Sequence, residues 1–356
     1  AACDIARYTS RDECSGLADA DRMATLIPDL DLYHPWGLDA EQAIVVATEC
    51  EAAARQVDPR IENSEGGTVS SYVGMRVKAN THGFLAGYRS SYHSISCAVI
   101  GKQGDEMQRD YWSYSARDPA DMPSAAETGR IAGERTVRRL GTRRLSTRQA
   151  PVVFAADIAS SLFGHFISAV SGSSLYRKSS FLLDHLGKQV FPGFLHIHEQ
   201  PLLKKALGSA PYDSEGVATQ AQDFIRDGIL QSYVLNSYAA RKLGMATTGN
   251  AGGVRNLTID PGDKTLDQIL RSMDTGLLVT ELIGFGVNNV TGDYSRGAAG
   301  FWVEGGEIQY PVDEITVAGN LKDMFMHIVE VGNDVDVRGN TRTGSVLIEA
   351  MTIAGS

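Results

Sequence analysis

The segment HIHE at residues 196–199 carries the densest group of side chains that bind metal ions. On a β-strand, residues two apart point to the same side, so His196 and His198 would face one zinc ion, with a third ligand from elsewhere in the chain. Prolines and a glycine flank the segment and favour instead an exposed loop whose histidines bind no metal. The spacing alone permits both interpretations.

A second candidate is His165, in the apolar segment SSLFGHF. A zinc peptidase helix of the H-E-x-x-H type needs two histidines one turn apart and a glutamate that activates water. The positions where those partners would stand hold Ser160, Ser161 and Leu162. A lone histidine on an apolar helix is more typical of a hydrogen-bonded core residue. An autonomous metallopeptidase that uses His165 with His196 or His198 stays open as an alternative.

A run of arginines is the third candidate, and its members are Arg130, Arg135, Arg138, Arg139, Arg143, Arg144 and Arg148. Such a charge density could neutralise phosphates, which makes a regulator that binds nucleic acid or a nucleic-acid enzyme through Arg130–Arg148 another alternative. However, no aromatic residue interleaves the run, and the net charge of the chain is -10. The pattern therefore favours a solvated helix face and linker that pair with local acids such as Glu127 and Glu134.

Two glycine-rich stretches resemble phosphate-binding loops only superficially: GNAGGV at 249–254 and IGFGVNN at 283–289. Neither has the Gly-Lys-Ser/Thr ending of a P-loop, and neither completes a strand, G-x-G-x-x-G and helix unit. They indicate turns and close backbone approach. The sequence also lacks a G-x-S-x-G elbow and a local cysteine-nucleophile signature.

The elements that must position these residues indicate an α+β fold. Asp39 and Gln42 form a capping box that opens an amphipathic helix over 39–57. Residues 68–116 alternate between β-branched or aromatic and polar side chains, which predicts an antiparallel meander. A second capping box, Ser124 with Glu127, begins a helix that ends near Leu140.

A domain boundary is predicted in the polar segment GTRRLSTRQA at 141–150, which Pro151 follows. Residues 1–150 would be the remainder of an N-terminal α/β domain. Residues 151–356 would be a larger, glycine-rich and mostly antiparallel β domain with flanking helices. The features predicted in this second domain are hairpin turns at 227–228 and 305–306, helices at 265–274 and 321–331, and a strand in the segment SVLIEAMTIAG.

Composition excludes disordered, collagen-like and coiled-coil chains. The 356 residues are 43% hydrophobic and 21% charged, which is typical of globular proteins. Asp157 and Glu281 interrupt the longest apolar stretches below the roughly 18 residues of a membrane span. Four cysteines, all within the first 97 residues, predict free thiols and a soluble, cytoplasmic protein. The opening AACDIARYTS reads like the end of a helix already under way.

Several long segments resemble the PmbA/TldD family, in particular its PmbA (TldE) branch. The most extensive match runs over 290–334, from VTGDYSRGAAGFWVEGG to HIVEVGND. The others, in family order, are 176–192, 211–220, 237–253 and the ending MTIAGS. Together with DIARYTS and NSEGG they span essentially the whole chain. The resemblance also implies that family members carry an additional N-terminal α/β segment before this point.

The resemblance implies a subunit of a cytoplasmic metallopeptidase complex. In that family the TldD branch supplies zinc through an H-E-x-x-x-H helix and a later cysteine, and the PmbA branch pairs with it. Aligned on this motif, the chain has Ser160 and Ser161 in place of the histidine and glutamate, and only His165 remains. The region 338–345 contains no cysteine. We therefore expect no metal and no catalytic residue in this chain, and zinc in a TldD-type partner.

The role that follows is to close a chamber and hold an extended peptide substrate. The family is linked to trimming the leader of a modified antibacterial peptide and to degrading an antitoxin, and was once described as modulating DNA gyrase. We expect a heterodimer with a TldD-type subunit and a homodimer when the chain is isolated. Glycine-rich strand edges would bind the peptide main chain. The residues predicted for that groove are Thr291, Gly292, Asp293, Ser295, Arg296, Gly297 and Gly300.

Overall fold

The computed structural model describes residue 5 and residues 7–355. Within them the chain forms a mixed α/β structure of seven α-helices and fourteen strands arranged in three sheets. Cys3 and half of the opening segment 1–10 lie outside the described residues. Cys14, Cys50 and Cys97 are free thiols. None of the described helices has the length and apolarity needed to cross a membrane.

The first sheet is an antiparallel meander of three long strands, in the order β1-β2-β3. Their bounds are Ile61–Ala79, Leu85–Gln103 and Glu106–Ala116. Two helices pack on this sheet: α1, Ala40–Gln56, and α2, Ala125–Arg138. The predicted helix and meander are therefore present.

The two helices begin differently. The predicted box at Asp39 and Gln42 is reciprocal. At the start of α2 the Ser124 side chain accepts a hydrogen bond from the Glu127 backbone, but the Glu127 carboxylate binds Arg130 instead of completing the box.

Helices α1 and α2 touch backbone to backbone through two glycines. A Cβ atom at Gly129 would lie 1.9 Å from the carbonyl oxygen of Cys50, and one at Gly133 would lie 2.6 Å from that of Ala54. These distances are shorter than any real contact. Only glycine therefore allows α2 to reach its position against α1 and the sheet below.

The second sheet closes on itself. Its order is β11-β10-β9-β4-β14-β12, and additional pairs join β11 to β14, so five of its strands form a barrel. The barrel strands are β4, Arg148–Phe154; β9, Gly276–Ile283; β10, Asp293–Glu304; β11, Glu307–Asn320; and β14, Val346–Ala354. Strand β12, Ile328–Val331, adds to β14 outside the closed ring. Closure removes the free edges that an open sheet would expose.

The third sheet has five short strands in the order β13-β8-β5-β6-β7. Their bounds are β5, Ile197–Glu199; β6, Gln222–Arg226; β7, Ile229–Leu230; β8, Leu257–Ile259; and β13, Thr341–Arg342. Residues of this sheet and of the barrel share one large hydrophobic core.

The long helix α3, Ala156–Ala169, lies between them and buries Leu162, Phe163 and Phe166 in that core. The remaining helices are α4, Gly172–Tyr176; α5, Ser237–Lys242; α6, Leu266–Met273; and α7, Leu321–Met326. The chain also makes single 3-10 turns at Ala20–Arg22 and Pro119–Asp121.

Most local predictions for the second half of the chain are confirmed. Both hairpin turns are present. Their central residues all have positive φ angles: 53° at Asp227, 74° at Gly228, 61° at Gly305 and 74° at Gly306. The helix predicted for 321–331 is wrong in its second half. It stops at Met326, because the β-branched residues of IVEV pair with β14 instead. The proposed domain boundary stays a prediction, and β4 already begins at Arg148.

Candidate functional site

A cavity of about 580 Å³ lies where the meander, the barrel and the two longest helices of this region meet. Its wall is formed by β3, α2, α3, β9, β10 and the segment 336–341. Ser160 and Ser161 line it from α3, and Arg296 lines it from β10. The structure thus brings the altered motif positions together with one residue of the predicted peptide groove.

The segment 338–341 faces the same cavity. The resemblance places the missing cysteine in this part of the chain. Ser160, Ser161 and the segment 338–341 therefore lie around one space.

His165 lies one helical turn after Ser161 on α3 and packs against β10. Its ring meets the ring of Tyr294 edge-on, with 5.9 Å between the centroids. Three buried polar atoms at this contact have no hydrogen-bond partner: His165 Nε2, the Tyr294 hydroxyl and Arg296 Nε. His165 is therefore partly buried but not the hydrogen-bonded core residue that the apolar helix suggested.

Burial dominates the electrostatics of this contact. It lowers the pKa of His165, and the positive charge of Arg296 lowers it further. Burial also raises the pKa of Tyr294 to about 12. Both rings are accordingly held in their neutral forms at neutral pH.

The donor set at the altered motif does not fit a catalytic zinc ion, which takes three protein ligands. Ser161 uses its hydroxyl to donate to the carbonyl oxygen of Ile158 at 2.8 Å. His165 offers one nitrogen, and the nearest charge that acts on it is the cationic Arg296. A zinc ion at these positions would therefore lack the ligands of a catalytic site.

Arg296 differs from the other arginines of the cavity. Arg135 lies 3.0 Å from Asp157, and Arg338 lies 2.7 Å from Asp336. Across the described part of the chain, Arg296 makes no ion pair with a carboxylate. Its guanidinium is therefore free of direct carboxylate contacts, although acidic side chains line the same cavity.

Trp112 forms an aromatic surface between two cations. The guanidinium of Arg338 lies 3.5 Å from the Trp112 ring centroid, and that of Arg135 lies 4.9 Å from it. A second cavity, of about 460 Å³, shares these three residues and extends toward Tyr114 and Leu266. The two adjacent cavities, which have these residues in common, are together termed the groove. Neither Trp112 nor Arg338 could be found from the sequence, because alternation predicts a strand without showing what its faces contact.

The predicted groove residues of 291–300 are otherwise not free to bind a peptide main chain. Gly297 pairs with Ile283 of β9 on one side and with Thr316 of β11 on the other. A Cβ at Gly300 would lie 2.0 Å from the carbonyl oxygen of Leu278, so this glycine serves strand packing.

The earlier residues of this stretch are also occupied. Thr291 donates to Asp293, and Asn320 binds both residues, which fixes Gly292 in a turn. Ser295 donates its backbone N–H to Gly286. The prediction of exposed edges on this strand is wrong, because β10 is an interior strand of the barrel.

The arginine run is used within the protein. Arg130 pairs with Glu127 and Glu134, as predicted. Arg139 is buried and lies 2.6 Å from Glu281. Three further members lie over aromatic rings of the barrel: Arg138 over Phe301, Arg143 over Tyr310 and Arg148 over Trp302. The run therefore joins α2 and the following linker to the barrel, a role that a solvated face did not suggest.

The segment 196–199 is not an exposed loop. Residues 197–199 are strand β5, which lies between β6 and β8. His196 and His198 share one face of it, and their rings stack with 4.7 Å between centroids. Asp260, directly after β8, lies 2.8 Å from His196 and 2.9 Å from His198. His165 does not belong to this group of possible ligands, which counts against the metallopeptidase alternative.

Glu199 on the opposite face organises one of the glycine-rich loops. Its buried carboxylate accepts hydrogen bonds from Gln222, Asn250 and the backbone of Arg255. The loop at 249–254 is thereby fixed against β5. In the other stretch, a Cβ at Gly286 would lie 2.0 Å from the carbonyl oxygen of Ser295. Both stretches are structural, as the sequence indicated.

Two family models cover nearly the whole chain. Residues 33–140 match the PmbA/TldA metallopeptidase central domain, and residues 147–355 match the PmbA/TldA metallopeptidase C-terminal domain.

Individual relatives agree with these models. The chain is 53% identical over 355 residues to the metalloprotease PmbA of Escherichia coli O157:H7, covering 100% of this chain and 79% of that protein. A crystal structure from Bacteroides thetaiotaomicron, of a protein provisionally described as a modulator of DNA gyrase, has a TM-score of 0.94 and 31% identity. That match covers 99% of this chain and 81% of the other. TldE from Thermococcus kodakarensis shares the fold, with a TM-score of 0.80, 20% identity and coverage of 99% and 83%.

Proposed function

The chain belongs to the PmbA/TldD metallopeptidase family, and from this premise we propose that it is the PmbA (TldE)-type subunit of a two-subunit zinc peptidase. In this assignment a TldD-type partner carries the zinc ion and the hydrolytic chemistry. This chain closes the chamber and holds the unfolded peptide. The assembly is cytoplasmic, and the isolated chain forms a homodimer through the same surface.

The observation that supports a non-catalytic role is the donor set on α3. Ser160 and Ser161 replace the metal ligand and the general base of the family motif, and His165 packs against Tyr294. A zinc-bound water needs three protein ligands around the metal and a base nearby to be deprotonated. Among the described residues, no group of three possible metal ligands lies close together at this cavity, and Ser161 stands where the motif has its base.

The substrate role is supported by the groove that the two cavities form. The unpaired guanidinium of Arg296 can donate hydrogen bonds to a carboxylate or main-chain carbonyl of a bound peptide. Trp112 holds the guanidinium groups of Arg135 and Arg338 over its ring, and the three side chains form a cationic wall that main-chain carbonyl groups can contact. Such contacts suit peptides of many sequences, including a leader peptide or an unfolded antitoxin.

Peptide cleavage by this chain alone and after mixing with a TldD-type subunit tests the proposal. We expect no cleavage by the isolated chain and cleavage when the two subunits are combined. His165→Ala should leave the activity of the mixture within about twofold, because the histidine holds no catalytic metal. Cleavage by the isolated chain that His165→Ala abolishes would contradict the assignment. Activity of the TldD-type subunit that is the same with and without this chain would contradict it as well.

The nucleic-acid alternative receives no support from the geometry. Arg130, Arg135 and Arg139 are paired with carboxylates, and three further arginines lie over aromatic rings of the barrel. Phosphate binding would have to break these contacts.

A further inference from the structure

We infer that His196, His198 and Asp260 form a binding site for a divalent transition metal ion of the zinc type, separate from the altered motif on α3. One ligand atom from each of the three residues lies within 4.8 Å of the others. Two imidazoles and a carboxylate, with a fourth position open to water, are a common ligand set for zinc. The site goes beyond the sequence-based expectation that this chain holds no metal.

The backbone builds this site before any metal binds. His196 and His198 are two residues apart around β5, so both rings stand on the same face. Strand β8 pairs with β5 and delivers Asp260 beside them, and the Asp260 backbone N–H donates to the carbonyl oxygen of His196 at 3.1 Å. The ligands therefore come from two hydrogen-bonded strands of one sheet, and little conformational entropy is lost on binding.

The hydrogen bonding of His196 favours a cation at this place. Its Nε2 lies 3.0 Å from Asp223 and its Nδ1 lies 2.8 Å from Asp260. A neutral imidazole can donate through only one nitrogen, so the other nitrogen directs a lone pair at a carboxylate. A second proton on the ring, or a metal ion between Nδ1 and Asp260, removes this conflict. Asp223 then accepts the Nε2 proton, as carboxylates behind metal-bound histidines do.

The distances suit insertion of an ion after a small movement. Zinc ligands stand about 2.0 to 2.1 Å from the metal, which places neighbouring ligand atoms a little over 3 Å apart. The Asp260 carboxylate now lies 2.8 and 2.9 Å from the two imidazoles. Because the Asp260 side chain is 48% exposed, it can shift and admit the ion from solvent.

Titration of metal-free protein with Zn²⁺ in a calorimeter, and with Co²⁺ in a spectrophotometer, tests the site. We expect one equivalent of Zn²⁺ to bind, a visible Co²⁺ absorption band typical of four or five ligands, and a rise in the melting temperature with Zn²⁺. His198→Gln and Asp260→Asn keep the size and polarity of the side chains. Each should weaken Zn²⁺ binding by at least about tenfold and remove the thermal shift.

Two variants complete the design. His82→Gln, at an exposed turn of the meander, should bind Zn²⁺ like the unmodified chain. His165→Ala should also retain binding, which separates this site from the altered motif. Equal Zn²⁺ affinity in His198→Gln and the unmodified chain would overturn the inference. Absence of stoichiometric binding would do the same, and would mean that protons alone balance the carboxylates. Neither result depends on peptide cleavage.

Discussion

The imidazole of His165 meets the phenol ring of Tyr294 edge-on, and neither the Nε2 atom nor the hydroxyl has a hydrogen-bond partner. Helix α3 and strand β10 therefore meet through two buried polar groups that contribute no hydrogen bond to the fold. Such groups are rare in native proteins, since each costs desolvation without compensation. Their neighbours Ser161 and Arg296 line the cavity in which the family motif has been altered.

Tyr294→Phe should raise the free energy of unfolding by about 1 kcal/mol, because it removes a buried hydroxyl that has no partner. Tyr212→Phe is the matched control. That tyrosine is equally buried, but its hydroxyl donates to the carbonyl oxygen of Ala86 at 3.2 Å. Its removal should lower the free energy of unfolding by about 1 kcal/mol. Urea denaturation of both variants measures the difference, and a loss of stability in Tyr294→Phe would show that the hydroxyl is hydrogen bonded.

His165 should make the folded protein sensitive to acid. Burial and the charge of Arg296 hold its folded-state pKa below the unfolded value of about 6.5. The unfolded state then binds the proton more readily than the folded state. The contribution of neutral His165 to the free energy of unfolding is therefore complete above pH 6.5 and is lost as the pH falls below that value. Urea denaturation across this range should show a smaller acid loss in His165→Gln than in the unmodified chain. His82→Gln, at an exposed position, should follow the unmodified chain.

Arg139→Met should lower the free energy of unfolding by about 2 to 3 kcal/mol, since it removes the buried cation that pairs with Glu281. Arg130→Met removes an exposed arginine of the preceding helix α2, and its effect on stability should not be measurable. Urea denaturation again gives both values. Equal changes in the free energy of unfolding for the two substitutions would mean that the arginine run is a solvated surface and does not join α2 to the barrel.

Two helical glycines should respond to alanine in opposite directions. No atom lies within 4 Å of a Cβ built at Gly164, so Gly164→Ala should stabilise α3 by about 1 kcal/mol. Gly129→Ala places a methyl group on the Cys50 carbonyl oxygen and should separate α2 from α1, lowering the melting temperature sharply. Thermal unfolding of the two variants is the measurement. A stable Gly129→Ala protein would contradict the close helix contact.

Arg296→Met should weaken peptide binding by the proposed two-subunit enzyme by about tenfold, because the cavity loses a guanidinium that no carboxylate contacts. The measurement is the KM of a fluorescent peptide that the combined subunits cleave. Arg144→Met is the control, since Arg144 is exposed and does not line the cavity. An unchanged KM in Arg296→Met would remove this residue from the proposed groove.

Local features of the fold were predictable because they depend on neighbours in sequence. The capping box at Asp39, the Gly305-Gly306 turn and the alternating meander all appear where the pattern places them. The closure of the barrel was not predictable. It depends on pairs such as Val317 with Ile353, and no local signal specifies which distant strands pair.

The candidate site was predictable only in part, for the same reason. Family resemblance pointed to Ser160 and Ser161, and Arg296 was one of seven residues proposed for a peptide groove; these three residues line one cavity. Trp112 and Arg338 come from distant parts of the chain, and their contact at 3.5 Å exists only in the folded state. Asp260 escaped notice because a single aspartate after a short strand has no distinguishing pattern.

Strand pairing also sets the times at which parts of the molecule can form. Strands β1, β2 and β3 follow one another closely, so their sheet can form as soon as it is synthesised. Strand β4 must wait for β14, since Phe154 pairs with Val346 roughly 190 residues later. The groove lies between these two sheets. It is therefore among the last features to be completed, and Ser160, Ser161 and Arg296 cannot meet a peptide until the barrel has closed.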